Sequence, residues 1–420
     1  MSEELVQTLL GAVDEKRTLA GIATHARYRP PEGEKVFPPT FPLDGTNAPT
    51  PALVGQRLTD EHGQRYMVVR EQQPHEIGRS PDDKVQYLIE PRRIAGETRE
   101  IVVLDQVPSQ ANRMEAALLA ARDAGRIRLP LFELTMTASD GIPMRLTSLE
   151  FPHRFADAYL RDSLLDGVAF DRTPVGQRLR SATAHDVRPL FAYSPESLIF
   201  GAWDSHRKGR SLKVARSYSS SVIGMDPQVG QRRSGRMDPN NLSGAVKPGH
   251  NGTDWAFVAS GEKKKGERLS EVGHGNIAPG VDHGGVVISQ AQRSGWLSLA
   301  GLAQLRFGDA GAEAAHLARA ALAALALAAD RLAFDTVSLR LRSGCDLVRT
   351  EDEVALDAGT RREPLQVDAE SAIAAFHELA ERAGQAGIPM ATDTVALAPN
   401  PALAQAIDYA LSRADTGEAE

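Results

Sequence analysis

One block constrains this chain of 420 residues more than any other: Ala320 to Ala329 consists only of alanine and leucine, closed by Arg319 on one side and Asp330 on the other. A helix spanning a bilayer needs about 20 apolar residues, so this run is too short to cross one. With no polar face it cannot lie on a surface either. The spacing predicts a long, buried helix over 312–334. Hydrophobic residues make up 42% of the sequence, enough to enclose such a helix and too many for a disordered chain.

Composition removes several classes of function. A single cysteine, Cys345, leaves no disulfide framework and no zinc site built on several thiolates. The first residues carry Glu3, Glu4 and Asp14 and lack the basic start and apolar stretch of a signal peptide, so a cytoplasmic protein without a membrane segment is expected.

The formal charge of −7 hides an asymmetry. Residues 201–270 hold 13 lysines and arginines against 6 acids, whereas residues 351–420 hold 4 against 14. Local charge decides whether a polyanion docks, so the basic middle is a candidate binding region despite the acidic total.

Along the chain, residues 1–27 read as a helix through Leu5, Leu9, Leu10 and Val13, and residues 28–52 carry seven prolines and read as extended. Ile101 to Leu104 reads as a strand, followed by a helix from Pro108. Leu131 to Met136 reads as a strand, a helix opens at Pro152, and strands are expected over 197–203 and 212–222. Hydrophobic period is lost over 223–282. Gly284-Gly285 leads into another strand, and a short helix over 296–305 precedes the long one. The expected organisation is an N-terminal helix and proline-rich segment (1–99), a first half of the main fold (100–222), a basic glycine-rich insertion (223–283), a second half (284–350) and an acidic helical C-terminal region (351–420). Strands mixed with helices and long insertions indicate an α+β fold.

Familiar catalytic motifs are missing. Gly261 to Gly266 has the glycine spacing of a phosphate loop, but Glu267 and Arg268 stand where Lys and Ser or Thr are required. No Gly-x-Ser-x-Gly elbow occurs. No histidine pair has the spacing of a helical zinc site, so no metal and no cofactor is expected. The run Trp203-Asp204-Ser205-His206-Arg207-Lys208-Gly209-Arg210 is more informative: an aromatic ring ends a strand, and cations follow at once. Stacking with phosphate neutralisation is what a single nucleic-acid strand requires, although a core tryptophan beside an exposed turn has the same pattern.

Taken in order, 104–113 (LDQVPSQANR), 152–158 (PHRFADA), 160–163 (LRDS), 200–206 (FGAWDSH), 273–277 (GHGNI) and 342–348 around Cys345-Asp346-Leu347 resemble the backbone subunit of type I-G (formerly I-U) CRISPR effector complexes, in the RAMP superfamily. The resemblance implies a modified ferredoxin-like (RRM-like) palm with large inserted thumb and finger elements, and no enzymatic activity. Its implied partners are CRISPR RNA bound regardless of sequence, target DNA reached through that RNA, further copies head-to-tail and other subunits of the complex. Charge and placement then nominate Arg113, Arg154, Trp203, His206, Arg207, Lys208, Lys213 and Arg216 for RNA contact, with Arg232, Arg233, Lys263, Lys264 and Lys265 second. Two readings compete: a metal-dependent endoribonuclease using Asp204, His206 or His283, and a scaffold that binds only protein.

Overall fold

The computed structural model describes residues 2–31, 33, 35–42, 53–59, 65–71, 85–139, 141–205, 211–236, 239–240, 242, 245–248, 255–258, 267–269, 274 and 277–415. Its central feature is an antiparallel sheet in the order Ser338–Arg342, Cys345–Asp357, Gly21–Arg29, Ala291–Ser298, Tyr218–Met225, Glu97–Asp105, Ile89–Ile94, with Arg362–Pro364 paired beside Cys345–Asp357. The fold is mixed α+β.

The helix Ala312–Phe334 packs across this sheet, and its alanine–leucine run is buried on all sides. Three other helices enclose it: Ala369–Gln385, Val107–Asp123 and Ser2–Ala12. Small side chains are what let four helices approach one another this closely; larger ones would force the layers apart. Among the described residues, no helix is long and apolar enough to cross a membrane.

Several expectations needed correcting. The first helix stops at Ala12, and Gly21–Arg29 is an interior strand of the sheet, between Cys345–Asp357 and Ala291–Ser298. Its buried residues Ile22, Thr24, Ala26 and Tyr28 alternate with period two, a pattern overridden by the apolar spacing upstream. Residues 197–203 are not one strand: Pro195–Phe200 is a buried helix with proline in its first turn, and only Ala202–Asp204 is extended. The helix expected at Pro152 shrinks to a turn at Arg154–Ala156 and the single turn Ala158–Arg161, which starts where Asp157 caps the Tyr159 N–H. Residues 212–222 divide into Leu212–Val214 and Tyr218–Met225, and Trp296 belongs to a strand rather than a helix.

The stretch without hydrophobic period contains strands of its own. Gln228–Arg236 pairs with Ile277–Val287, extending the hairpin formed by Tyr218–Met225 and Ala291–Ser298, and Lys35–Val36 adds to its edge. The acidic C-terminal region also belongs to the fold. Thr394–Pro399 pairs in parallel with Leu131–Thr137 inside a second, five-stranded sheet.

Candidate nucleic-acid interface

The buried helix Pro195–Phe200 ends at Gly201, whose φ of +81° lies in the region that favours glycine. A Cβ here would also meet Arg216 Cγ at 2.9 Å and Val214 O at 3.1 Å, so the position is closed to other residues on two counts. The turn launches a small ribbon in which Ala202 faces Val214, Trp203 faces Lys213 and Asp204 faces Leu212. Because side chains alternate across a strand, Asp204 points into the protein while Trp203 and Lys213 point out together. Trp203 is 61% exposed, which answers the question its sequence left open: it is not a core residue. The Lys213 ammonium lies 5.5 Å from the centre of its ring, a cation–π distance.

The ribbon forms one wall of an open cleft of about 1180 Å³. Five cationic side chains line it, Arg154, Arg161, Arg180, Lys213 and Arg216, against the carboxylates of Asp171 and Asp204. They divide by function. Arg154 holds the floor: it donates to both oxygens of Glu115 at 2.6 and 2.9 Å, reaches the Gly201 carbonyl at 2.9 Å, and accepts a φ of +52° to do so. Burial raises the Glu115 pKa, and the bond from Arg154 opposes that rise. Arg180 donates to Asp171 at 2.9 Å and sits 3.6 Å from the buried Asp204 carboxylate. Arg161 pairs with its neighbour Asp162.

Lys213 and Arg216 differ from these. Both are exposed, and neither has a carboxylate within 4.0 Å among the described residues. Arg216 is steadied by one bond, Nε to the Phe200 carbonyl at 3.2 Å. An exposed indole beside one uncompensated cation, with a second in the same cleft, can stack a flat ring and hold an anion near it.

Of the residues nominated from sequence, Arg154, Trp203, Lys213 and Arg216 are brought together here. Arg113 lies apart, donating to Asp105 at 2.9 Å and to the Leu341 carbonyl at 2.8 Å. His206, Arg207, Lys208 and Lys263 to Lys265 lie outside the described residues. Arg232 and Arg233 lie on the strand Gln228–Arg236, where only their backbone pairing with Asp282 and Val281 is described. Arg180 was missed; its only signal was a second arginine in the last turn of the short helix Pro174–Arg180. No group of three or more His, Cys, Asp or Glu side chains arranged to hold a metal occurs among the described residues.

Residues 72–229 match the family model described as CRISPR-associated protein GSU0053 (Cas_GSU0053). The match makes this segment similar to that family, and it contains every residue lining the cleft. No curated protein matches the chain.

Proposed function

We propose that this protein is a backbone subunit of a type I-G CRISPR effector complex, holding the CRISPR RNA by its ribose-phosphate strand and presenting it for pairing with invading DNA. One observation carries the reading: the segment matching a CRISPR-associated family contains a cleft in which Trp203 stands exposed beside Lys213, with Arg216 lining the same cleft. A subunit that accepts any guide cannot depend on base edges, and a ring face with unpaired cations offers contacts every nucleotide can satisfy.

The sheet supports the RRM-like part of the proposal. Numbered along the chain, Gly21–Arg29, Tyr218–Met225, Ala291–Ser298 and Cys345–Asp357 stand side by side in the order four, one, three, two. Val107–Asp123 lies between the first and second of them in sequence, and Ala312–Phe334 between the third and fourth. That order supports reading the four strands and two helices as a ferredoxin-like palm, with the other strands as additions at its edges. Head-to-tail growth along the RNA is part of the same proposal, since a heterologous contact repeats without closing.

The test is co-expression with a CRISPR array. The protein is expected to purify with short RNAs of uniform length, and Trp203→Ala combined with Lys213→Gln and Arg216→Gln is expected to lose them while remaining folded. Recovery of folded wild-type protein without RNA would overturn the reading. Incubation with labelled RNA and Mg²⁺ separates binding from cleavage: cutting abolished by Asp204→Ala would replace the proposal with the nuclease.

A further inference from the structure

A second cationic hollow, of about 550 Å³, lies away from the cleft and shares none of its lining residues. Its walls come from two turns fastened to each other through their backbones. Val187 N–H donates to the Arg306 carbonyl at 2.8 Å, and Gly308 N–H to the His185 carbonyl at 2.9 Å. The third wall is the first part of the helix Ala312–Phe334, which contributes Ala315 and, one turn on, Arg319.

His185, Arg306 and Arg319 line this hollow, and no carboxylate does. The two acids in its turns are committed elsewhere: Asp186 and Asp309 both pair with Arg188, at 2.6 Å each. Arg306 and Arg319 have no carboxylate within 4.0 Å among the described residues. Arg319 is nonetheless held firmly. Its Nη2 donates to the Leu305 carbonyl at 3.0 Å, and its guanidinium lies over the Phe307 ring. Its Nε is buried and has no acceptor. Burial lowers the Arg319 pKa, and the nearby charges of Arg306 and Arg17 lower it further, with Glu15 opposing.

A buried donor without an acceptor is costly, and two like charges held together add to that cost. The fold bears the like charges when something outside the chain supplies an anion, although the shut-off Nε itself stays beyond that anion's reach. The geometry points to a phosphate-binding site in which Arg306, Arg319 and His185 converge on one tetrahedral oxyanion. Donors approaching from three separate elements suit several oxygens around one centre better than a planar carboxylate, which a single arginine fork satisfies. The phosphate comes either from a nucleic-acid strand or from a free phosphate.

The experiment follows thermal unfolding of the full-length protein titrated with inorganic phosphate, against chloride and acetate at equal ionic strength. Phosphate is expected to raise the midpoint beyond either control. Arg306→Gln, which alters an exposed side chain, and Arg319→Gln are each expected to weaken phosphate binding at least about tenfold. Without phosphate, Arg306→Gln should not unfold earlier than wild type, because it removes an exposed, uncompensated charge. Arg319→Gln also gives up the bond to Leu305 and the contact with Phe307, and is read through its phosphate-dependent shift alone. Repeating the titration in Trp203→Ala with an unphosphorylated eight-nucleotide strand identifies the source. Competition with phosphate means a strand, and no competition means free phosphate. No phosphate-specific shift, an equal shift in acetate, or an unchanged shift in Arg306→Gln would overturn the proposal. None of these outcomes depends on whether the cleft holds guide RNA.

Discussion

Arg293 stands in the middle of the central sheet with its entire guanidinium removed from water. It pairs with Asp330, donates to Gln110 Oε1 at 2.9 Å and to the hydroxyls of Tyr218 and Ser220 at 3.2 Å, and lies flat against the Phe334 ring. Asp330 also receives Arg331, which reaches Asp352 at 2.7 Å. Burial alone would push the Asp330 pKa up, but Arg293 and Arg331 more than reverse this and hold it at about 2. Its contribution to stability is therefore complete above pH 4 and lost only as the pH falls towards 2. Asp330→Asn leaves two buried arginines short of a counter-charge and is expected to cost about 3–5 kcal/mol in urea unfolding at pH 7. Glu196 has the opposite sign. Burial raises its pKa to about 7, against a lowering bond from Ser194. The folded state keeps that proton where the unfolded chain has lost it, so this group's stabilisation is full below about pH 4.5 and fades as the pH rises through 7, by roughly 3 kcal/mol in all. His25 and His377, whose pKa values burial lowers, act in the other direction near pH 6.5. The readout is thus the difference between wild type and Glu196→Gln, which is expected to grow with pH; parallel curves would refute the assignment. Little of this was visible in the sequence. Asp330 read only as the end of an apolar run, because its partner Arg293 is 37 residues away and one sequence does not reveal which buried charges meet.

At the scale of the element, legibility followed periodicity. The helix over 312–334 was readable because no arrangement other than burial suits alanine and leucine on every face. The strands at Ile101 and Leu131 were readable because they are short apolar runs bounded by turns. The strand Gly21–Arg29 was not, since Thr24 and His25 interrupt its apolar alternation, and Thr24 is buried only because its hydroxyl meets Tyr218 at 3.1 Å. Within the cleft, the ribbon end at Trp203 was legible. The collapse of Arg154 onto Glu115 was not, because it depends on a helix 39 residues away. Gly295 shows how the sheet makes room for its buried charges. A Cβ there would lie 2.2 Å from Thr24 Oγ1 and 2.3 Å from the Tyr218 hydroxyl, both tied to the Arg293 network. Gly295→Ala is expected to destabilise by about 1–3 kcal/mol, the usual cost of overpacking a core. Chemical denaturation would measure it, and a neutral result would mean that the Tyr218 hydroxyl can move without breaking its bonds.

At the scale of the molecule, the net charge of −7 is a poor guide to what the surface does. Many of the acids that make the C-terminal region negative are occupied within the fold: Glu351 pairs with Arg27, Asp352 with Arg331 and Arg349, Asp357 with Arg362 and Glu370 with Arg126. Arginines outside the cleft are largely spent in the same way, whereas Lys213 and Arg216 keep their charge for something else. This difference makes a quantitative prediction about polyanion binding. Each phosphate neutralised on a single strand changes the slope of log affinity against log salt by about 0.7. Lys213→Gln with Arg216→Gln is therefore expected to make that slope shallower by about 1.4, with no loss of stability, because neither residue holds a carboxylate. Arg113→Gln and Arg154→Gln are expected to do the reverse, lowering the unfolding midpoint by leaving Glu115 buried without its cation and Asp105 with only Gln110 and the more distant Arg342, while leaving the slope nearly as it was. Filter binding of a fixed RNA of about 30 nucleotides across a salt series, run beside thermal unfolding of the same three variants, separates the two classes. If Arg154→Gln flattened the salt slope as much as the double variant did, its ion pair with Glu115 would have to open when RNA binds, and the division between floor and contact residues would fail.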